Sequence, residues 1–154
     1  MLERPLAAFL QEGVGIHVGT CNRRLEPNGA RGLAVVVEDD GAHLWVYVAE
    51  VAAARLLTDL AENGRAAVSF GRPVDDRACQ VKGDLVSVRP AELHERELIR
   101  TQFEGYLASL ERIGIPGAGT ANWALWPAVA IRLRATAVFE QTPGPAAGTP
   151  LTCA

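Results

Sequence analysis

The sequence AAVSFGRPVDDRACQVKG, residues 66–83, predicts the pair of strands around which the rest of the chain is arranged. Residues 66–70 form a short apolar run of strand length, rich in residues suited to a pleated sheet. Gly71 and Pro73 interrupt it, and residues 78–88 then alternate between polar and apolar side chains, as a half-buried strand does. We therefore predict two strands joined by a polar turn.

This pair carries a hydroxyl, an amide and three cations close to one connection, on Ser69, Arg72, Arg77, Gln80 and Lys82. Such a set suits an anionic ligand that also accepts and donates hydrogen bonds. The alternative is that the cations are solvated strand ends or surface ion pairs, and that Ser69 and Gln80 satisfy hydrogen bonds within the sheet. The clustering favours a ligand site.

The remaining segments predict four more strands from period-two alternation and three helices from apolar residues at helical spacing. The strands are expected at residues 14–19, 30–38, 43–49 and 129–140, and the helices at residues 5–11, 51–62 and 90–112. Pro90 is expected in the first turn of the third helix. The links have hairpin length, so the fold is predicted to be mainly β, an antiparallel sheet closed into a small barrel that hides its edges.

The second predicted helix has an apolar stripe on one face. Its buried positions are expected to be Val51, Ala54, Leu56, Leu57, Leu60 and Ala61, with Arg55, Asp59 and Glu62 outside. Residues 1–141 are predicted to form a single domain. The segment 142–154, rich in Pro, Gly, Ala and Thr, is predicted to hang free or to cap a neighbour.

The composition sets limits on the partners and on the cellular location. The net charge of -3 and the pI near 5.6 provide no basic field, so we expect no nucleic-acid partner. The apolar runs are far shorter than a membrane span and the first residues lack a signal-peptide pattern, so a cytoplasmic protein with no membrane contact is expected.

Cysteine and histidine residues indicate neither a metal site nor a disulfide framework. Three cysteines, one of them Cys153, are widely separated and include no CxxC pair. The histidines, one of them His17, have no ligand spacing, so satisfied strand or surface residues are expected. No arrangement of a nucleophile with a nearby base identifies a catalytic residue, and the catalytic group stays unknown.

Five ordered pieces of the chain resemble the pyridoxamine 5'-phosphate oxidase-like, FMN-binding split β-barrel proteins. They are GVGIHVGT (13–20), ARGLAVVV (30–37), HLWVYVA (43–49), LAENGRAAVSF (60–70) and CQVKGDLVSV (79–88). The resemblance covers residues 9–88 well, and the last strand with residues 141–145 more loosely. It implies a homodimer that holds FMN in clefts at the subunit interface, with the phosphate bound by basic and hydroxyl side chains.

The same resemblance assigns cofactor-binding roles to individual residues. Arg31 begins the second strand, where the family often has a basic residue near the flavin. Arg55 matches the first of a basic pair at the head of the helix, whereas the second position is Leu56 here, a departure that weakens phosphate binding of the usual kind.

Four further residues lie on the strands where the family contacts the isoalloxazine and ribityl chain, with Lys82 alternatively on the outer face of the sheet. They are Ser69, Arg72, Gln80 and Lys82. Trp123 has two interpretations, because Trp123 and Trp126 are either core or dimer-interface anchors, or Trp123 flanks the flavin.

The leading hypothesis is an FMN-dependent oxidoreductase in which the cofactor performs the electron or hydride chemistry on a small-molecule substrate or electron donor. The protein would supply position and electrostatics. The alternative is a non-catalytic split-barrel protein that binds a flavin, haem or another small anion. A deazaflavin or haem in place of FMN stays open at this point.

Overall fold

The computed structural model of the protein describes residues 2–116 and 123–151. Within these ranges, six strands and three α-helices follow one another along the chain. The strands are β1 (Gly15–Cys21), β2 (Pro27–Val37), β3 (His43–Ala49), β4 (Arg65–Gly71), β5 (Ala78–Pro90) and β6 (Ala128–Glu140). The helices are α1 (Arg4–Leu10), α2 (Glu50–Asn63) and α3 (Arg96–Arg112), and a short 3₁₀ turn (Leu93–Glu95) precedes α3.

The six strands form a closed antiparallel barrel in the spatial order β1-β2-β3-β6-β5-β4. Closure leaves every strand with two neighbours, so no sheet edge is exposed along the paired segments. The prediction of a mainly β, antiparallel split barrel with accompanying helices is confirmed.

The barrel interior is filled by alternate residues of each strand. Ile16 and Val18 of β1, Leu44 of β3, Val68 of β4 and Val81 of β5 are at most 2% exposed. The intervening residues of these strands therefore point outwards. Helix α2 covers one end of the interior with Leu56 and Leu60, which belong to the same apolar core.

The predicted buried stripe of α2 is confirmed at Leu56 and Leu60 but is wrong at other positions, and Asp59, predicted to be outside, is buried. The buried residues are Ala53, Leu56, Asp59 and Leu60, whereas Val51 is 80% exposed and Ala54 is exposed. Three consecutive alanines left the apolar face poorly defined by the sequence. The burial of Asp59 is compensated, because its carboxylate accepts a hydrogen bond from the Thr20 hydroxyl at 2.8 Å.

The predicted position of Pro90 at the start of the third helix is also wrong. Pro90 is the last residue of β5 and pairs with Val129 of β6. The chain turns only afterwards, where the Glu95 carboxylate accepts hydrogen bonds from Tyr47 and Arg89 and from the backbone N–H of Glu92. This buried network anchors the start of α3 to the barrel.

Helix α3 lies against the part of β2 that extends beyond β1. Strand β1 begins at Gly15, so the end of β2 has no strand neighbour on that side. The Gln102 side chain of α3 takes that role, because its amide oxygen accepts from the Val35 N–H at 3.0 Å and its amide nitrogen donates to the Val35 carbonyl at 2.8 Å. Gln11 accepts in the same manner from the Val37 N–H at 3.3 Å.

The described part of the segment after β6, which ends at Leu151, returns along that strand instead of hanging free. Gly148 donates to the carbonyl of Glu140, and Leu151 donates to the carbonyl of Val138 at 2.8 Å. Leu151 also packs against the apolar core. Cys153 lies outside the described residues. Among the helices that the structure describes, none has the length and apolar character needed to cross a bilayer.

Candidate functional site

Four polar side chains on adjacent strands form a line across the outside of the barrel, which we call the polar row. Arg31 of β2 lies directly opposite His17 of β1, His17 opposite Ser69 of β4, and Ser69 opposite Gln80 of β5. Neighbouring strands lie about 4.8 Å apart, so the row extends over about 14 Å. Three of these residues were predicted site residues, and only the barrel's register brings them together.

Rows of small residues flank the polar row on both sides. One row is Gly29, Gly19 and Ala67, and the other is Gly15, Gly71 and Ala78. Because these residues lack long side chains, the surface beside the polar row is recessed. It forms a cavity of about 550 Å³ lined in part by Gly19, Gly29 and Ala67. The resulting shape is a shallow shelf with hydrogen-bonding groups along its middle.

Tyr106 of α3 closes one side of this shelf. A Cβ atom at Gly15 would lie 3.0 Å from the Tyr106 ring, so the glycine allows the close approach of the helix to β1. Tyr106 lines a second cavity together with His17 and Ser69. The shelf is thus bounded by a helix on one side and is open on the other.

Hydrogen bonds within the row determine what it offers to a ligand. The Gln80 amide nitrogen donates to the Ser69 hydroxyl oxygen at 3.1 Å. Ser69 is then able to donate its own hydroxyl hydrogen, and the Gln80 amide oxygen remains an acceptor. The row therefore presents an acceptor and a donor side by side, with a cation at its far end.

His17 lies in the middle of the row, and its environment favours the neutral imidazole. Desolvation of the imidazole, and secondly the charge of the adjacent Arg31, lower the pKa of His17 below its ordinary value of 6.5. At neutral pH the ring offers one donor and one acceptor nitrogen. The sequence interpretation of His17 as a satisfied strand or surface residue did not include it among the site residues, although its place on the outer face of β1 follows from the alternation of that strand.

Arg31 is held in place by aromatic residues. Its guanidinium carbon lies 4.1 Å from the centre of the Trp123 ring, and its Nη1 donates to the Tyr106 hydroxyl at 3.3 Å. Phe103 supports Trp123 at a ring separation of 5.5 Å. Among the described residues no carboxylate pairs with Arg31. The charge is therefore pre-oriented and available to an anion.

Arg72 lies at the margin of the site, and its guanidinium group is held by two carboxylates. It forms two hydrogen bonds with the Asp75 carboxylate, at 2.9 and 2.6 Å, and a third with Glu12 at 2.7 Å. These partners raise the pKa of Arg72, the Asp75 hydrogen bonds being the largest cause. The structure thus places Arg72 in a local ion pair rather than in the polar row.

Arg55 and Lys82 also lie outside the row. Arg55 is exposed on α2, and its neighbour Leu56 is fully buried in the core, so the position matched to a second cation is structural here. Lys82 lies one row beyond Gln80, on the outer face of β5, with its ammonium nitrogen 4.8 Å from the centre of the Phe139 ring.

One group of possible metal ligands occurs away from the polar row, at the β2–β3 hairpin. Side-chain atoms of Glu38, Asp40 and His43 lie within 4.8 Å of one another. The Glu38 carboxylate binds Arg132 through two hydrogen bonds, at 2.7 and 2.6 Å. Asp40 accepts from the His43 ring and from two backbone N–H groups, which lowers the pKa of Asp40 to about 2. These contacts stabilise the β2–β3 hairpin, and they explain why the three side chains lie close together.

Comparison with known proteins gives a likeness in structure without a likeness in sequence. No protein-family model matches the chain, and no curated protein sequence matches it. An F420 reductase superposes with a TM-score of 0.56 at 19% identity over 85% of this chain and 93% of that one.

Two bacterial proteins give similar results. HupZ of Group A Streptococcus has a TM-score of 0.57 at 15% identity, over 97% of this chain and 99% of that one. A candidate pyridoxamine 5'-phosphate oxidase of Lactobacillus delbrueckii has a TM-score of 0.56 at 13% identity, over 90% and 93%. At identities this low the structural superpositions show the fold alone, and this fold agrees with the resemblance seen in the sequence.

Proposed function

We propose, from the premise that the chain has the split-barrel fold of the pyridoxamine 5'-phosphate oxidase-like proteins, that it binds a flavin on the outer face of the barrel. We further propose FMN as the flavin and oxidoreduction as the activity. The F420 reductase and the candidate oxidase among the similar structures support this class of function.

The observation that carries the proposal is the polar row between two rows of small residues. A flat ring system needs a shelf without protruding side chains, and it needs polar groups where its own heteroatoms meet the protein. The Gln80 acceptor and the Ser69 donor match the alternating N–H and carbonyl groups along the pyrimidine edge of a flavin. Gly19, Gly29 and Ala67 leave room for the rings.

Arg31 is proposed to hold the phosphate of FMN. Its orientation by Trp123 and Tyr106 lowers the entropy that would be lost on binding, and a guanidinium forms paired hydrogen bonds with phosphate oxygens. His17, neutral at pH 7, would hydrogen-bond the bound molecule without adding a second charge next to Arg31. Bound flavin would supply the electron or hydride transfer.

A homodimer is proposed as the working form. The polar row lies on an outer surface that the described part of the chain covers on one side only, through Tyr106. A two-fold partner would close the other side and exclude water from the ligand. Light scattering at micromolar concentration should give about twice the chain mass of 16.4 kDa. A monomer with flavin bound at full affinity would contradict the dimer.

A second candidate function is non-catalytic binding of a flavin, haem or another small anion. It is favoured by the absence, within the polar row, of any carboxylate or thiol that could act on a substrate. The buried thiol of Cys79 is no substitute, because burial raises the pKa of Cys79 to about 12.

The visible absorption spectrum of the purified protein tests the proposal, followed by titration with FMN if the protein is colourless. Oxidised-flavin bands that bleach with a reduced nicotinamide donor and return in air would support an oxidoreductase. Bound flavin without turnover against a panel of electron donors would favour the binding protein. A Soret-type band would indicate haem, and no response to FMN at high micromolar concentration would contradict flavin binding.

A further inference from the structure

The chain has a single lysine, and it lies beside a second cation on the outer face of the barrel. Lys82 of β5 is opposite Ala67 of β4, and Arg65 of β4 is opposite Asp84 of β5. Arg65 and Lys82 are therefore diagonal neighbours on the same face, close enough for long side chains to converge. We call them the cation pair.

The cation pair has no carboxylate partner among the described residues. Asp84, directly opposite Arg65, forms its ion pair with Arg134 at 3.1 Å instead. The Lys82 ammonium group contacts the face of Phe139, and both members of the pair are exposed. A protein with a net charge of -3 thus carries a local excess of positive charge at this point.

A cavity of about 590 Å³ lies between these two cations and β1. Its floor includes Gly19 and Ala67, which also line the cavity of the polar row. The two cavities therefore share part of their lining. Along β4, Arg65 is four residues from Ser69, a distance of about 13 Å, so the cation pair reaches an anion beyond the ring-binding shelf.

We infer that Arg65 and Lys82 bind a phosphate or carboxylate group of a second ligand, one that lies next to the flavin on the shared floor. This second ligand is the substrate, an assignment that rests on the proposed function. The binding of an anion by the cation pair does not rest on it. Arg31, the proposed ligand of the FMN phosphate, lies on β2 at the opposite end of the polar row. The cofactor phosphate therefore does not occupy the cation pair.

The single lysine supplies a specific reporter for the test. In ¹⁵N-labelled protein the side-chain ammonium group gives one NMR signal, which is followed during titration with inorganic phosphate and, in parallel, with acetate. Sodium chloride at equal ionic strength is the reference. We expect saturable shifts that chloride does not reproduce, and at least a fivefold weaker phosphate affinity in Arg65→Gln. Arg112→Gln, an exposed cation on α3 outside the cavity, should leave the affinity unchanged.

Shifts that grow linearly and match those of chloride would overturn the anion site, as would an unchanged affinity in Arg65→Gln.

The flavin affinities of Arg65→Gln and Lys82→Gln decide whether the bound anion belongs to the cofactor or to a second ligand. FMN and riboflavin are both measured. We expect both variants to bind FMN and riboflavin with the same affinities as the unaltered protein. A loss specific to FMN would assign the pair to the cofactor phosphate and overturn the second ligand. Failure of both flavins to bind the unaltered protein would reject the proposed function and leave the phosphate titration interpretable.

Discussion

Gln80 donates a hydrogen bond from its amide nitrogen to the hydroxyl oxygen of Ser69, 3.1 Å away across β4 and β5. The bond fixes the direction of both polar groups, so that an acceptor and a donor face the same ligand edge. Two residues eleven positions apart in sequence therefore act as one recognition element.

Replacing either member of this element should weaken flavin binding. Gln80→Ala and Ser69→Ala are each expected to lower the FMN affinity about tenfold, since each removes a hydrogen bond that the ligand needs. Fluorescence quenching of FMN measures the affinity. Ser87→Ala, on an exposed part of β5 away from the row, is the matched control. Equal FMN affinities for all the variants would contradict the proposal that Gln80 and Ser69 bind the pyrimidine edge of the flavin.

Gly19→Leu should abolish flavin binding while the protein stays folded. A Cβ atom at Gly19 meets only the Ala67 carbonyl, at 3.5 Å, so the backbone accepts it and the side chain extends over the shelf. We expect a loss of more than about 100-fold in FMN affinity, since the bulk occupies the ring position. Ala52→Leu, exposed on α2, should bind normally. The circular dichroism spectra and melting temperatures of both variants verify folding.

Arg31→Ala should weaken FMN more than riboflavin, because only FMN carries the phosphate that Arg31 is proposed to bind. A loss of about 10- to 100-fold for FMN is expected from a charge-assisted pair. Arg55→Ala tests the other predicted phosphate ligand, which the structure places on α2. Equal losses for both flavins in Arg31→Ala would show that Arg31 does not bind the phosphate.

The pKa of His17 should rise when the charge of Arg31 is removed. Desolvation and the Arg31 charge both disfavour the imidazolium, so the Arg31→Gln variant retains only the desolvation contribution. NMR titration of the imidazole signal gives the pKa directly. His94, exposed on the 3₁₀ turn, serves as the internal reference. An unchanged pKa of His17 would mean that the two side chains do not interact.

Acid should remove the stabilisation that Glu95 provides. Hydrogen bonds from Arg89, the largest cause, and from Tyr47 lower the pKa of Glu95 from 4.5 to about 2. A carboxylate with a lowered pKa stabilises the fold above pH 4.5, and the contribution disappears as the pH falls towards 2. Glu95→Gln should cost on the order of 2 kcal/mol at pH 7 and much less near pH 2.

Urea unfolding at several pH values measures this dependence, with Glu111→Gln, exposed at the end of α3, as the control. A Glu95→Gln protein whose stability follows that of the unaltered protein in parallel through pH 4.5 to 2 would contradict the role of the network.

The order of strands and helices could be predicted from the sequence, since it depends on local periodicity and on turn residues. The alternation in residues 14–19 and 43–49 predicts strands, and the polar residues 71–77 predict the turn between two of them. These predictions do not depend on which strands are neighbours in the sheet. Pro90 was misplaced because a proline suits both a strand end and a first helical turn. The rotation of α2 was misplaced because alanines do not distinguish a buried face.

The residues by themselves determined the strands and the polar character of their outer faces, because alternation sends every second side chain outwards. Only the tertiary structure decided which polar residues form a site. Strand register placed His17 between Arg31 and Ser69. Arg72 follows the end of β4 and binds Asp75 of the adjoining turn and Glu12, so it is not part of the row. Pairing across strands depends on the closure of the whole sheet, and no local sequence pattern encodes that closure.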